Sequence, residues 1–151
     1  MRTQLKHILL AEDNVHDVEL TLTALRANNL ANEVVVVRDG AEALDYLKRR
    51  GGYEGRDGSQ PALMLLDLKM PKVDGLEVLK YVKTDPELRL IPIVVLTSSR
   101  EEQDLLHSYD LGVNAYVVKP VDFHDFVDAV KVLGGFWAVL NEPPPVAAAA
   151  R

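Results

Sequence analysis

Residues 62–67 read Ala-Leu-Met-Leu-Leu-Asp, which is a run of five apolar side chains followed by a carboxylate. An apolar run of this length, bounded by polar residues, is typical of a strand that is buried on both faces of a parallel sheet. Three more largely apolar runs have the same form, and each also ends on polar residues. They cover residues 7–11, 93–96 and 115–118, and they end on Glu12-Asp13, Thr97-Ser98 and Lys119-Pro120.

The segments between these runs carry apolar residues at helical intervals, which predicts a helix after each strand. A fifth strand is predicted at residues 33–37, between the first two helices. The first predicted helix follows Asp13-Asn14, and the second starts at Asp39-Gly40. The third covers residues 75–84, the fourth covers residues 101–111, and the fifth starts at Asp122.

Five strand-helix repeats with short connections predict an α/β fold with a doubly wound, five-stranded parallel sheet and five helices. We expect the flavodoxin-like strand order 2-1-3-4-5, in which strands 1 and 3 are neighbours. An eight-stranded barrel is excluded because it needs about 250 residues. Since the carboxyl ends of parallel strands share one edge of the sheet, Glu12, Asp13 and Asp67 should converge there.

Composition narrows the classes of function. The chain has 151 residues, 48% of them hydrophobic, so it can form one domain with a real core. Its net charge of -6 argues against a nucleic-acid partner, and the absence of cysteine excludes disulfides and thiolate metal sites. The apolar run before Glu12 is too short for a signal peptide or a membrane span, so we expect a cytoplasmic protein without membrane attachment.

Two segments depart from the strand-helix pattern. Residues 49–61 contain four of the nine glycines and connect a helix to the next strand, so we expect a surface excursion at the end of the sheet opposite the carboxylates. Residues 141–151 are rich in proline and alanine, which predicts a disordered tail after a single domain at residues 1–140.

The predicted cluster of Glu12, Asp13 and Asp67 has a net negative charge that Lys119 offsets only in part. A divalent cation would balance it, and oxygen ligands without His or Cys favour Mg²⁺ or Mn²⁺ over Zn²⁺. A carboxylate beside such a cation can attack a phosphoryl group, with a hydroxyl and an ammonium, here Thr97 and Lys119, around the transferred oxygens. Each residue alone also has a purely structural explanation, as a helix cap or a turn residue.

Together, these motifs resemble the receiver domain of two-component response regulators. The resemblance covers residues from about 7 to 133, and several separate motifs fall in order along the chain. They are Glu12-Asp13, Asp67 with Leu68-Lys69-Met70-Pro71, Asp74-Gly75, Thr97-Ser98, Tyr116 and Lys119-Pro120.

The resemblance implies a phosphoacceptor switch rather than an enzyme, in which Asp67 receives phosphate from a histidine kinase or a phosphotransfer protein. It implies a Mg²⁺ site made by Asp13, Asp67 and the main-chain carbonyl of Lys69, with Glu12 reached through water. Thr97 would bond the phosphoryl group and move inward, which would let Tyr116 turn toward the core.

A narrower resemblance concerns the residues outside this common pattern. The glycine-rich excursion and the Gly134-Gly135-Phe136-Trp137 continuation are similar to single-domain regulators paired with bacterial phytochrome-type kinases. Adjacent aromatic residues at a domain edge favour a partner surface, so we expect a homodimer that uses Phe136 and Trp137. The alternative is that these residues fold back over their own sheet.

Two other functions remain to be weighed. A phosphatase of the haloacid-dehalogenase type also uses an aspartate nucleophile, Mg²⁺, a hydroxyl and a lysine, but it needs an acid two residues after the nucleophile, where this chain has Lys69. A receiver-like interaction module that never takes phosphate would usually have lost Asp13, Asp67 or Lys119, and all three are present.

Overall fold

The computed structural model describes residues 7–26, 33–70, 72–108, 113 and 115–132. Five parallel strands form one sheet in the order β2-β1-β3-β4-β5, so the predicted fold and strand order are confirmed. The strands are β1 (His7–Ala11), β2 (Glu33–Val37), β3 (Leu63–Asp67), β4 (Ile93–Thr97) and β5 (Tyr116–Val118). The helices are α1 (Val15–Arg26), α2 (Gly40–Lys48), α3 (Gly75–Thr84), α4 (Arg100–Ser108) and α5 (Phe123–Val132).

The helices begin where short polar side chains cap them. Asn14 Oδ1 accepts the main-chain N–H of Asp17 at 3.0 Å, so Asn14 caps α1. The carboxylates of Asp39 and Asp74 cap α2 and α3 in the same way. Asp13, the other predicted cap of α1, instead directs its carboxylate into an acidic cluster.

The core has two layers because side chains alternate across the sheet. Leu9, Met64 and Leu66 point to one face, where they pack with α2 and α3. Leu10 and Leu65 point to the other face, where they pack with α1 and α5. Every residue of β3 is buried, as expected for a strand covered by helices on both faces.

Some bounds differ by one residue from the sequence-based expectation, such as that of β4, which ends at Thr97 and not at residue 96. The end of the fourth helix, expected at residue 111, lies outside the described residues, in which α4 runs to Ser108. β5 begins at Tyr116, one residue later than expected, although Ala115 is also buried. Among the described helices, none combines the length and the apolar character needed to cross a bilayer.

The excursion at residues 49–61 packs on the end of α2 through Arg56. The Arg56 guanidinium lies over the Tyr46 ring, with its carbon 3.9 Å from the ring centroid, and donates to the Tyr46 carbonyl at 2.9 and 3.1 Å. Gln60 donates to the Leu47 carbonyl at 2.8 Å. Both acceptors are carbonyls near the end of α2, and the Tyr46 carbonyl also accepts the main-chain N–H of Arg49 at 3.3 Å. The chain then returns to the sheet where Ala62 N–H donates to the His7 carbonyl, at the end of β1 away from the carboxylates.

Candidate functional site

Three carboxylates meet at the carboxyl edge of the sheet. Glu12 and Asp13 follow β1, and Asp67 is the last residue of β3, the strand paired with β1 in register. One oxygen from each carboxylate lies within 4.8 Å of the others, so the predicted convergence is confirmed. Glu12 and Asp67 are buried at 0% and 4% exposure, whereas Asp13 is the most exposed of the three.

Lys119 joins this cluster from the end of β5. Its Nζ lies 3.2 Å from Glu12 Oε1 and 3.3 Å from Asp67 Oδ1. The shortest contact, 3.0 Å, is to Oδ2 of Asp17 in the first turn of α1. Asp17 was missed by the sequence analysis because it follows no apolar run. Its place four residues after Asp13, at the start of a helix that begins at the carboxyl edge, was the available signal.

The buried charges shift the ionisation of the site. Burial raises the pKa of Glu12 to about 7, with a further contribution from the negative charge of Asp67. Burial likewise raises the pKa of Asp67, against the opposing charge of Lys119. Burial alone would lower the pKa of Lys119, but its bond to Asp17 and the charges of Asp67 and Glu12 raise it overall. Near neutral pH, the metal-free pair of Glu12 and Asp67 therefore retains a proton in part of the molecules.

Thr97 lies on β4, which pairs with the strand that carries Asp67, and Tyr116 lies on β5, on the other side of β4. Thr97 ends β4 and is fully buried, and its hydroxyl accepts a bond of 3.4 Å from Gln103 Nε2. Its carbonyl accepts the main-chain N–H of Lys119 at 2.8 Å, which ties the end of β4 to the end of β5. Tyr116 is half-buried against the core, and its hydroxyl donates to the Val113 carbonyl at 3.1 Å. Gln103 carries no sequence motif and was not foreseen.

The loop after Asp67 is held against the start of α3. Gly75 N–H donates to the Leu68 carbonyl at 2.7 Å, and a Cβ at Gly75 would stand 2.1 Å from the Asp67 carbonyl oxygen. Glycine is therefore required for this close approach. The ammonium of Lys69 in this loop lies 3.4 Å from Glu102. The role of the Lys69 carbonyl as a cation ligand stays a prediction.

A hydrogen-bonded path also reaches the main chain of Asp13 from the excursion. Tyr53 donates to Glu42 at 2.6 Å, and Glu42 accepts the main-chain N–H of Arg38 at 2.9 Å. Arg38 Nη2 then donates to the Asp13 carbonyl at 3.3 Å. The excursion returns to the sheet at the end opposite the carboxylates, but this path connects it through Glu42 of α2 to the loop that carries Asp13.

The structure does not test the prediction of a dimer interface. Phe136 and Trp137 lie outside the described residues, as do the domain boundary at residue 140 and the tail at residues 141–151.

The group formed by Glu12, Asp13 and Asp67 fits a hard divalent cation. Its donors are carboxylate oxygens, the ligands that Mg²⁺ and Mn²⁺ prefer. Two of the three carboxylates are buried, and a bound cation would offset the cost of keeping their charges out of water.

Comparison with known proteins gives the family. Residues 8–131 match the response regulator receiver domain. This chain belongs to that family. Receiver domains bind Mg²⁺ at an acidic pocket, and in this structure Glu12, Asp13 and Asp67 form an acidic group that could hold such an ion. Acting as phosphoacceptors and switches is the main role of these domains.

Several similar proteins are response regulators, and two of them are named after phytochromes. The bacteriophytochrome response regulator AtBRR is 65% identical, with a TM-score of 0.88 over 93% of this receiver domain's chain and 100% of its own. Response regulator Rcp1 of Synechocystis sp. is 41% identical over 87% of this chain and 88% of its own length. Its Mn²⁺-bound structure has a TM-score of 0.69 over 88% of this chain and 94% of its own. The phosphorylated cyanobacterial phytochrome response regulator RcpA is 46% identical, with a TM-score of 0.71 over 89% of this chain and 94% of its own.

The raised pKa of Glu12 predicts a pH-dependent stability for the metal-free receiver domain. The folded state holds this proton more tightly than the unfolded chain, so the stabilisation is complete below pH 4.5 and is lost as the pH rises through about 7. Glu12→Gln removes that loss, because its side chain stays neutral. In EDTA at about pH 8, we expect the variant to have a free energy of unfolding about 3 kcal/mol above that of the parent, because each pKa unit corresponds to about 1.4 kcal/mol.

Urea unfolding of both proteins at acidic and alkaline pH measures this difference. Glu19→Gln is the matched control, because it removes the same charge from an exposed position on α1. A gap between Glu12→Gln and the parent that is the same at both pH values would contradict the assignment.

Proposed function

We propose that this receiver domain is the phosphoacceptor of a two-component phosphorelay and that Asp67 receives the phosphoryl group. The observation that carries the proposal is the position of Lys119 Nζ, 3.3 Å from Asp67 Oδ1 beside the cation pocket. A nucleophilic carboxylate, a cation pocket and a fixed ammonium are the parts that phosphoryl transfer to a carboxylate requires.

In the proposed reaction, an oxygen of Asp67 attacks the phosphorus of a phosphohistidine and the P–N bond breaks. The product is an acyl phosphate on Asp67 and a free imidazole, which takes up a proton. Bound Mg²⁺ supplies positive charge beside the phosphoryl oxygens. Lys119 donates to one of these oxygens, and the buried hydroxyl of Thr97 donates to another.

The same contacts support a conformational switch. The Thr97 hydroxyl accepts from Gln103 in this structure, and its own O–H is the donor that can turn to a phosphoryl oxygen when the side chain moves inward. The inward shift of Thr97 opens space next to β5, into which Tyr116 turns from its half-buried position. Phosphorylation thereby favours one of two arrangements of the face formed by β4 and β5.

The names of the relatives support a phytochrome-type histidine kinase as the donor. Such a relay draws phosphate from ATP, so we place the protein in the cytoplasm. Output then passes to a downstream protein or to a further phosphotransfer step. We also propose that residues 1–140 form the receiver domain and that residues 141–151 form a disordered tail.

The alternatives receive less support. The side chain two residues after Asp67 is Lys69, whose ammonium pairs with Glu102, so this position offers no general acid for a phosphatase of the haloacid-dehalogenase type. A module that never takes phosphate would have no use for a buried aspartate in contact with Lys119.

Labelling tests the acceptor. With Mg²⁺ and a small phosphodonor, the parent should form an acid-stable, base-labile phosphoryl group, and mass spectrometry should locate it on Asp67. Asp67→Asn keeps the shape but removes the nucleophile, so we expect no labelling. Asp74→Asn, at the cap of α3, is the matched control and should label like the parent. Normal labelling of Asp67→Asn would exclude Asp67 as the acceptor.

Thermal melting tests the cation pocket. A ligand that binds only the folded state stabilises it by about 2.7 kcal/mol at 100 times its Kd. We therefore expect Mg²⁺ to raise the Tm of the parent. Asp13→Asn should make this rise smaller, because it removes one of the three carboxylates that can hold the cation. A Tm that does not respond to Mg²⁺ in the parent would refute the site.

Light scattering tests assembly. We propose a homodimer that uses Phe136 and Trp137, because adjacent aromatic side chains anchor many protein interfaces. The parent should show a dimer mass at high concentration, and the double variant Phe136→Ala/Trp137→Ala should show a monomer mass. A parent that stays monomeric with and without a phosphoryl mimic would rule the dimer out.

A further inference from the structure

Asp17 makes the shortest of the three contacts to the Lys119 ammonium. Its Oδ2 lies 3.0 Å from Nζ, compared with 3.2 Å for Glu12 and 3.3 Å for Asp67. The two side chains of this pair are only 16% and 27% exposed, so water screens their charges weakly. None of the sequence motifs of the site includes Asp17.

A count of donors shows what distinguishes Asp17. A lysine ammonium has three N–H donors, and the three carboxylates around Lys119 can each take one. Glu12 and Asp67 also belong to the group of carboxylates that can hold a cation, whereas Asp17 does not. Asp17 is therefore the one carboxylate, among these three contacts, for which a bound cation does not compete.

Phosphorylation would strengthen this distinction. As an acyl phosphate, Asp67 no longer carries a carboxylate charge, and the Lys119 donor that faced it becomes available to a phosphoryl oxygen. The ammonium sits on a flexible four-carbon stem, so something else has to keep it in place. Asp17 can do so because α1 fixes it: its N–H is capped by Asn14 at 3.0 Å, and the next residue, Val18, is buried in the core.

We propose that Asp17 is a positioning residue that holds the Lys119 ammonium toward the phosphoryl group on Asp67. This inference rests on the proposed function. Loss of one stabilising donor from a reaction site costs roughly 100- to 1,000-fold in rate. Without Asp17, the ammonium keeps its charge and loses only its orientation, so we expect a smaller loss, about tenfold.

The test uses the full chain and three variants: Asp17→Asn, Asp17→Glu and the control Glu19→Gln, which removes one charge from the same helix at an exposed position. The first measurement is the rate constant of Asp67 phosphorylation at saturating small phosphodonor and Mg²⁺. The second is the affinity for beryllofluoride, a phosphoryl mimic, in the presence of Mg²⁺. The third is the affinity for Mg²⁺ alone, from the shift in Tm.

For Asp17→Asn, we expect the rate constant and the beryllofluoride affinity each to fall about tenfold. Its Mg²⁺ affinity should stay within about twofold of the parent, because Asp17 is outside the cation group. Asp17→Glu should recover part of the loss, since it restores the charge, and Glu19→Gln should behave like the parent. Asp17→Ser replaces Asp17→Asn if the latter does not fold by circular dichroism.

The outcomes separate this inference from the proposed function. A parent that takes no phosphate on Asp67 overturns the proposed function. A parent that is phosphorylated normally, with Asp17→Asn equal to it in rate and in beryllofluoride affinity, overturns the role of Asp17. A faster rate or tighter beryllofluoride binding in Asp17→Asn also overturns it, because Asp17 would then compete with the phosphoryl group for the ammonium.

Discussion

The contact between Lys119 and the buried carboxylates of Glu12 and Asp67 is the constraint on which the site depends. Burying two carboxylates without a cation is costly, and Lys119 is the ammonium that reaches both of them. Lys119 follows β5, at the edge of the sheet, whereas Glu12 follows the inner strand β1 and Asp67 is the last residue of the inner strand β3. The ion pairs therefore connect parts of the chain that are far apart in sequence, with 107 residues between Glu12 and Lys119.

This arrangement makes the site responsive to what binds there. In the metal-free state, Lys119 offsets only part of the negative charge, and burial raises the pKa of both Glu12 and Asp67, which favours retention of a proton by this pair. A divalent cation can replace that proton, and the phosphoryl group that we propose on Asp67 would add new acceptors for Lys119 and Thr97. Each ligand thus changes which groups are paired at the ends of the same parallel strands.

The scaffold around the site limits how far these groups can move. Gly75 lets the start of α3 touch the backbone of Asp67, and Thr97 is tied through its carbonyl to Lys119. Tyr53 of the excursion donates to Glu42, and Arg38 donates to the Asp13 carbonyl. These bonds connect the excursion to the loop after β1. A segment that first looked remote from the chemistry is therefore linked to the loop that carries a predicted cation ligand.

The fold and the main site residues were accessible from sequence because they depend on local patterns. Apolar runs with a polar end specify buried parallel strands, and their order along the chain specifies which ends are adjacent. Glu12, Asp13 and Asp67 could be brought together on that basis alone. The capping roles of Asp39 and Asp74 are equally local, since a cap bonds to its own helix.

Only the tertiary structure revealed Asp17, Gln103 and Arg38 as neighbours of the site. Asp17 and Gln103 lie on helices, where many polar residues face solvent and nothing in the local pattern marks the ones that contact Lys119 and Thr97. Their partners are set by how α1 and α4 pack on the sheet, which depends on contacts between segments far apart in sequence. The sequence by itself determined the fold and the strand-end residues, because those follow from periodicity. The pairing around Lys119 was decided by packing in three dimensions, because a long side chain reaches partners that no spacing along the chain encodes.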